Sequence, residues 1–168
     1  RKGIFVKAFC FYNSFSSYGW LHNTELDLDN DIEIVLGDIR DRTFVNEQLS
    51  NVDCVFNLAA LIGIPYSYSA SESYVDTNIK GCLNILESAK KYNCRVIQTS
   101  TSEVYGTAQF VPITEDHPLV AQSPYSATKI AADQLAMSFV KSFNIPVTVL
   151  RPFNTYCLLY TSDAADEK

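Results

Sequence analysis

Tyr125 and Lys129 are the two residues whose types and spacing most directly suggest chemistry. They lie four positions apart in Tyr-Ser-Ala-Thr-Lys, directly after Ser123-Pro124, and Ser followed by Pro is typical of a helix start. Residues four apart share one face of a helix. A nearby ammonium favours the phenolate, so we expect Lys129 to lower the pKa of Tyr125 toward neutrality. Such a tyrosine can move a proton to or from a sugar hydroxyl while a nicotinamide takes the hydride.

Four further segments each follow a strand-like run. Thr99–Gly106 is rich in hydroxyls and contains the carboxylate of Glu103, and Phe56–Ala60 has small residues that permit a cofactor to approach the backbone closely. Gly37–Ile39 could contact an adenine edge, and Arg151–Asn154 follows the last strand. Each segment also has a purely structural interpretation, such as a polar turn or tight helix–strand packing. Their common placement at strand ends is what favours a site.

The elements that must position these residues follow from hydrophobic periodicity. Strands are predicted at residues 6–12, 32–36, 52–58, 95–100 and 146–150, and the third of these is apolar enough to be buried on both faces. Helices are predicted after Asp41, before Tyr92 and after Ser123. The buried faces expected for the two longer helices comprise Val75, Ile79, Cys82, Leu86 and Ala89, and Ile130, Leu135, Phe139 and Phe143.

Strands that alternate with helices indicate an α/β fold with a doubly wound parallel sheet, covered by helices on both faces. Ligands of such sheets bind beyond the carboxyl ends of the strands. Each of the five candidate segments either follows a strand directly or begins the helix after one.

Composition limits the classes of partner. The net charge of −6 argues against a nucleic-acid backbone, and no apolar run approaches the roughly 18 residues of a spanning helix. The five cysteines form no C-x-x-C pair and have no cluster of histidines nearby, so we expect no metal site and reduced thiols in a cytoplasmic protein.

Taken together, these segments resemble the extended short-chain dehydrogenase/reductase family, that is, the NAD-dependent epimerase/dehydratase group with a Rossmann-like fold. The resemblance covers about residues 4–156 and is strongest to nucleotide-sugar 4,6-dehydratases that act on activated N-acetylglucosamine in legionaminic-type pathways. The stretches that carry it are residues 9–13, 64–68, 101–106, 123–129 and 151–156.

The resemblance implies a role for each candidate catalytic residue. Tyr125 would take the proton of the sugar 4-hydroxyl, Lys129 would hold the nicotinamide ribose, and Thr101 would hydrogen-bond the same sugar oxygen. Glu103 would abstract the C5 proton. Ser102 stands where glucose-type dehydratases have an aspartic acid, so a relayed water or Glu103 itself would have to protonate the departing 6-hydroxyl.

The resemblance also implies binding residues. The expected cofactor contacts are Tyr12, Asn13, Asp38, Ile39, Leu58, Ala59, Ala60, Asn78, Thr99, Tyr125, Lys129 and Pro152. Asn154 resembles a residue that meets the substrate phosphates. The cofactor implied is NAD, with NADP left open because no acidic residue stands at the end of the first predicted strand. The expected partners are a nucleotide-sugar substrate and a second copy of the protein in a homodimer.

Comparison with the family pattern predicts a truncated domain. The sequence contains no G-x-x-G-x-x-G turn, so we expect the first strand, this turn and the carboxyl-terminal substrate domain to be missing. The lost strand would lie between residues 6–12 and 52–58. We expect residues 1–156 to be a partial NAD(P)-binding domain, residues 157–168 to be a non-native tail derived from a sequencing adapter, and the chain alone to be an inactive fragment.

Three alternatives to the 4,6-dehydratase remain open. A UDP-glucuronate decarboxylase has a similar Thr-Ser-Glu-Val-Tyr-Gly segment but needs a cation for the substrate carboxylate. The reaction of a UDP-sugar 4-epimerase has no clear role for Glu103. A non-catalytic nucleotide-sensing protein would commonly lack Tyr125 or Lys129.

Overall fold

The computed structural model describes residues 4–23 and 32–153. Its strands are β1 Val6–Phe11, β2 Ile32–Gly37, β3 Cys54–Asn57, β4 Arg95–Thr99 and β5 Val147–Leu150. Its α-helices are α1 Arg42–Gln48, α2 Ile64–Ser69, α3 Ser71–Tyr74, α4 Gly81–Tyr92 and α5 Pro124–Phe143. The π-helical segment Val75–Lys80 joins α3 to α4, and 3-10 turns occur at Gly19–Asn23 and Ser102–Tyr105. All five predicted strands are confirmed, and α2 was not predicted.

Every strand pair is parallel. β1 pairs with β2, and β3, β4 and β5 form a second sheet in that order. In the part of the chain that the structure describes, one edge of β1 and one edge of β3 have no strand partner. This arrangement agrees with the predicted position of a further strand between them, and the predicted α/β class with parallel strands is confirmed.

One apolar core serves both sheets. Phe9 of β1 and Val55 of β3 pack against the same buried cluster. The members of that cluster are Ile39, Val45, Leu49, Cys82, Ile85, Leu86, Ala89, Cys94, Val96, Ala132, Ala136, Phe139 and Ile145. Burial of each larger aliphatic or aromatic side chain contributes about 1.5–3 kcal/mol. The two sheets and helices α1, α4 and α5 are therefore held together mainly by this cluster.

The prediction that the third strand is buried on both faces is wrong. Phe56 of β3 is 66% exposed, whereas its neighbour Asn57 is buried. Leu150 of β5 is exposed in the same way. Successive side chains of a strand point to opposite faces, and the described helices that form the core cover only the face of Val55 and Val149.

The predicted buried face of the longer helix is also partly wrong. Val75 is 39% exposed, whereas Tyr74 and Asn78 are buried. The cause is the π-helical segment Val75–Lys80, since its extra residue per turn rotates the side chains before α4 relative to an α-helical register. From Cys82 onward the α-helical pattern holds, and Cys82, Leu86 and Ala89 are buried as predicted.

Candidate active site

The start of α5 places Tyr125 and Lys129. Ser123 Oγ accepts a hydrogen bond from Ser126 N at 3.1 Å, and Ser126 Oγ accepts one from Ser123 N at 3.0 Å, which makes a reciprocal cap with Pro124 in the first turn. The predicted helix start is confirmed. Tyr125 is 7% exposed and Lys129 is 4% exposed. The two side chains therefore lie together on the buried face of α5, not in solvent.

The face of α5 that packs inward is more polar than predicted. Phe139 is buried, but Phe143 is 50% exposed. The residues of α5 that are buried are Tyr125, Ser126, Thr128, Lys129, Ala132, Asp133, Ala136 and Phe139. Small side chains at Ala132 and Ala136 leave this polar row close to the sheet.

The ammonium of Lys129 is anchored at the carboxyl end of β4. Lys129 Nζ donates to the carbonyl oxygen of Thr99 at 2.6 Å, and Gln98 Nε2 donates to the same oxygen at 3.2 Å. Burial lowers the pKa of Lys129, and the negative charge of Asp133 acts in the opposite direction. The strand end thus binds a cation that has little access to water.

The turn after β4 brings a hydroxyl and a carboxylate to the phenol of Tyr125. Thr101 caps the 3-10 turn Ser102–Tyr105, since its Oγ1 accepts from Glu103 N at 3.3 Å. The Thr101 side chain lowers the pKa of Tyr125, and the charge of Glu103 raises it. Thr101 and Ser102 are half-buried and Glu103 is exposed. A phenol, a hydroxyl and a carboxylate therefore lie near one another after the carboxyl end of β4.

The expectation that Lys129 lowers the pKa of Tyr125 is wrong for this structure. Burial raises the pKa of Tyr125, the charges of Glu103 and Tyr74 raise it further, and only the hydrogen bond from Thr101 lowers it. The physical reason is the position of the lysine, because its ammonium binds the Thr99 carbonyl.

Asn78, a predicted cofactor residue, links two parts of the site. Its Oδ1 accepts from Leu61 N at 2.9 Å, and its Nδ2 donates to Leu61 O and to Thr128 Oγ1, both at 3.0 Å. Asn78 is 4% exposed. It therefore fixes the segment after β3 to α5, behind the site.

Other predicted cofactor residues lie at the ends of β2 and β3. The Asp38 carboxylate accepts two bonds from Arg40 Nε at 3.0 Å and one from Arg40 Nη2 at 2.6 Å, and Arg40 lowers the pKa of Asp38. Ile39 is buried in the core, so it can meet a ligand only through its backbone. After β3, Leu58 and Ala59 are exposed and Ala60 is half-buried.

The remaining predicted residues lie at the ends of β1 and β5. Tyr12 is 61% exposed, and the side-chain oxygen of Asn13 accepts from the backbone N–H groups of Phe15 and Ser17, both at 3.1 Å. Pro152 is exposed, and its carbonyl accepts from Ser102 N at 3.3 Å. Asn154 and the predicted tail at 157–168 lie outside the described residues.

Several residues beside the site were not predicted. Tyr74 is 1% exposed, its ring centroid lies 6.3 Å from that of Tyr125, and its hydroxyl donates to Gly63 O at 2.6 Å. Asp133 is fully buried and accepts from Ser100 Oγ at 2.9 Å. The available signal for Asp133 was its position four residues after Lys129, on the same helix face.

Within residues 4–23 and 32–153, no group of three or more His, Cys, Asp or Glu side chains could hold a metal ion. No helix in those ranges combines the length and the apolar character needed to cross a bilayer. The four cysteines found there, Cys10, Cys54, Cys82 and Cys94, are free thiols.

Comparisons with known proteins agree with this geometry. The chain is 37% identical to the low-salt glycan biosynthesis protein Agl12 of Haloferax volcanii over 123 residues, 73% of this chain and 40% of that protein. A crystal structure of a DesIV double mutant, a dTDP-glucose 4,6-dehydratase from Streptomyces venezuelae with NAD bound, matches with a TM-score of 0.71 and 31% identity over 74% of this chain and 39% of that one. A UDP-N-acetylglucosamine 4-epimerase from Methanobrevibacter ruminantium matches with a TM-score of 0.79 and 30% identity over 88% of this chain and 47% of that one.

The chain thus spans less than half the length of each of these proteins. The family model described as GDP-mannose 4,6 dehydratase matches residues 1–166. This match covers every candidate segment, from the end of β1 to Arg151–Asn154. The chain therefore belongs to the GDP-mannose 4,6 dehydratase family, within the NAD-dependent epimerase/dehydratase group of extended short-chain dehydrogenases/reductases.

Proposed function

We propose that this chain is the NAD-facing part of a nucleotide-sugar 4,6-dehydratase, an enzyme that forms a 4-keto-6-deoxy sugar nucleotide. The observation that carries the proposal is the buried Tyr125 beside the turn after β4, whose Thr101 side chain and Glu103 charge both act on its pKa. The likeness to a dTDP-glucose 4,6-dehydratase supports the same reaction class.

The residues at the sheet edge fit the nicotinamide end of NAD. A buried ammonium held by the Thr99 carbonyl could donate to ribose hydroxyls, and the short side chains of Ala59 and Ala60 permit close approach to the backbone. When bound, NAD would accept a hydride from C4 of the sugar and give it back at C6. Thr99, Lys129 and Pro152 would hold the nicotinamide end, and Asp38 with the backbone of Ile39 would meet the adenine.

Side chains of this protein would then carry out the proton transfers. Tyr125 takes the proton of the sugar 4-hydroxyl, with Thr101 hydrogen-bonded to the same oxygen. Once C4 is a ketone, the C5 proton is acidic and Glu103 removes it. The 6-hydroxyl then leaves as water, protonated by Glu103 directly or through a water held by the Ser102 hydroxyl. As C6 receives the hydride, C5 would take a proton from solvent, which balances the proton that Tyr125 took from the 4-hydroxyl and would release to solvent.

The first test uses the intact protein that contains this chain, incubated with NAD and UDP- or GDP-N-acetylglucosamine. We expect the absorbance of a 4-keto-6-deoxy product with at least one of these substrates. Tyr125→Phe should lower kcat by about 10²–10⁴-fold, the usual contribution of a positioned acid–base group. Tyr92→Phe is the matched control, because Tyr92 packs against the core at the end of α4, away from the site. Equal kcat values for the two variants would contradict the proposal.

A 4-epimerase is the second candidate, favoured by the likeness to a UDP-N-acetylglucosamine 4-epimerase. Glu103 separates the two reactions, because only dehydration requires loss of the C5 proton. In a dehydratase, Glu103→Gln should abolish the 4-keto-6-deoxy product while C4 oxidation persists. In an epimerase, the same variant should still interconvert the 4-epimers. Glu87→Gln on the outer side of α4 serves as the control for loss of a carboxylate.

We further propose that the intact protein is a homodimer that uses the outer surfaces of α4 and α5. The support is the partial exposure of apolar side chains on both helices, with Leu83 36% exposed and Met137 38% exposed. Met137→Lys should shift the mass measured by light scattering from two copies toward one. An unchanged dimer in that variant would exclude this surface as the interface.

A further inference from the structure

A buried ionic cluster lies directly behind the candidate site. Asp133 is 0% exposed, and its Oδ2 accepts from Ser100 Oγ and from Arg151 Nε, both at 2.9 Å. Arg151 Nη1 donates to the Tyr105 hydroxyl at 3.1 Å, and the guanidinium lies over the Tyr105 ring. Among the described residues, Asp133 Oδ1 has no hydrogen-bond partner although it is buried.

Fold stability alone does not account for this cluster. Removing a carboxylate and a guanidinium from water costs free energy that their mutual attraction often fails to recover, and apolar residues of similar size are commonly as stabilising. A buried carboxylate oxygen without a partner adds to that cost. We therefore expect the cluster to have a function other than stabilising the fold.

The interactions of the three consecutive residues Thr99, Ser100 and Thr101 indicate what that function is. Thr99 accepts from Lys129 through its carbonyl, Ser100 donates to Asp133, and the Thr101 side chain lowers the pKa of Tyr125. All three partners lie on the buried face of α5. The end of β4 and the residue after it are thus hydrogen-bonded to α5 at two successive positions, Thr99 and Ser100. Of these two bonds, the one between Ser100 and Asp133 involves no proposed catalytic group.

Arg151 extends the same connection to β5. Ser100 N donates to Leu150 O at 2.7 Å, and Ser102 N donates to Pro152 O at 3.3 Å. Because Arg151 lies between these two acceptors and also binds Asp133, the carboxylate joins α5 to the ends of two neighbouring strands.

We propose that Asp133, oriented by Ser100 and Arg151, is a positioning residue that holds Tyr125 and Lys129 in register with the segment Thr99–Thr101. The inference rests on the proposed function, in which those groups act on the sugar and bind NAD. Asp133 itself touches neither substrate nor cofactor. A shift of about 1 Å at the reacting groups can lower the rate on the order of 100-fold. Fixing the position of α5 relative to the end of β4 therefore favours catalysis.

The charge of Asp133 also acts on Lys129. The groups that face Lys129 are Asp133 on α5 and the thiol of Cys82 on α4, and Asp133 raises the pKa of Lys129 against the lowering effect of burial. Asp133 in turn faces Arg151 and Ser100. A neutral residue at this position would leave the buried Lys129 and the half-buried Arg151 without their anion.

The test compares two buried hydroxyl deletions in the intact protein. Ser100→Ala removes the bond to Asp133, whereas the control Ser88→Ala removes a hydroxyl that donates only to Asn84 O within α4. We expect Ser100→Ala to lower kcat by about 10- to 100-fold with KM for the sugar nucleotide nearly unchanged, and to weaken NAD binding several-fold. Ser88→Ala should change neither quantity, and both variants should have similar thermal midpoints.

A second variant tests the charge. Because the charge of Asp133 raises the pKa of Lys129, Asp133→Asn should lower that pKa. Activity should then be lost at a lower pH on the alkaline side of the rate profile than in the unmodified protein. A purely structural role would lower the rate without moving that limb of the profile.

Equal kcat and equal NAD affinity in Ser100→Ala and Ser88→Ala would overturn the inference. Failure of the proposed function has a different signature. If the unmodified protein binds NAD but converts no nucleotide sugar, and Ser100→Ala still weakens NAD binding while Ser88→Ala does not, the positioning role stands and the dehydratase assignment falls.

Discussion

The Nζ atom of Lys129 lies 2.6 Å from the carbonyl oxygen of Thr99, and this bond joins the buried face of α5 to the last residue of β4. A backbone carbonyl does not titrate, so this bond persists as long as Lys129 is protonated, and burial lowers the pKa of Lys129. The same ammonium lies at the strand ends, where ligands of parallel sheets bind.

Lys129→Arg should be a damaging substitution although it keeps the charge. A lysine ammonium is a compact point charge, whereas the planar guanidinium is larger and donates in a fixed fork. At a position that is 4% exposed, we expect kcat of the intact protein to fall by about 100-fold, the scale of a displaced catalytic group. Lys141→Arg, at the exposed end of α5, is the control and should keep full activity. Similar rates for both variants would contradict the tight fit around Lys129.

Glu103→Gln should lower the pKa of Tyr125. The carboxylate of Glu103 raises that pKa because a negative charge disfavours a nearby phenolate, so a neutral amide removes part of the increase. Burial, the largest cause, remains. The measurement is an ultraviolet titration of phenolate absorbance, with each protein compared to its Tyr125→Phe counterpart to isolate one tyrosine. A titration midpoint that does not move, or that moves upward, would show that Glu103 does not face Tyr125.

Gly106→Ala should disturb the turn that contains Thr101 and Glu103. Gly106 has φ +61° and ψ −145° at the end of the turn Ser102–Tyr105, and an added Cβ would lie 2.5 Å from the carbonyl oxygen of Val120. We expect a loss of about 1–3 kcal/mol in the free energy of unfolding, measured with urea, together with a lower kcat.

Gly19→Ala provides the control for backbone strain. Gly19 also has φ +61°, but an added Cβ there would meet nothing within 4 Å. It should cost less stability than Gly106→Ala and leave kcat unchanged. If Gly19→Ala and Gly106→Ala changed kcat equally, close packing at Gly106 would not be what holds the turn in place.

Cys82 should be unreactive in the folded protein. It is 1% exposed, and burial raises the pKa of its thiol to about 12, so almost no thiolate forms at about pH 8, where ordinary thiols begin to react. Mass spectrometry after iodoacetamide treatment should find Cys82 unmodified in native protein and modified in urea. Rapid native labelling would mean that the contact region of α4 and α5 is open.

Local sequence patterns were sufficient for the elements and for part of the site. Apolar runs located all five strands, and the caps at Asp41 and Ser123 were correct because a capping side chain bonds to a backbone group three residues away. The four-residue spacing placed Tyr125 and Lys129 on one helix face for the same reason.

Tertiary structure alone decided what surrounds those residues. Asp133 binds Ser100 and Arg151, which lie 33 and 18 positions away in the sequence. Lys129 binds the Thr99 carbonyl, 30 positions away, and not the phenol of Tyr125 one turn before it. The direction of the Tyr125 pKa shift was predicted wrongly because burial and the charges of Glu103 and Tyr74 all raise this pKa, while the ammonium of Lys129 binds the Thr99 carbonyl instead. Periodicity indicated the inward face of α4 from Cys82 onward, but it failed at Val75 and Phe143, which are exposed. Burial, the selection among competing partners and the resulting pKa depend on distant segments that only the packed fold brings together.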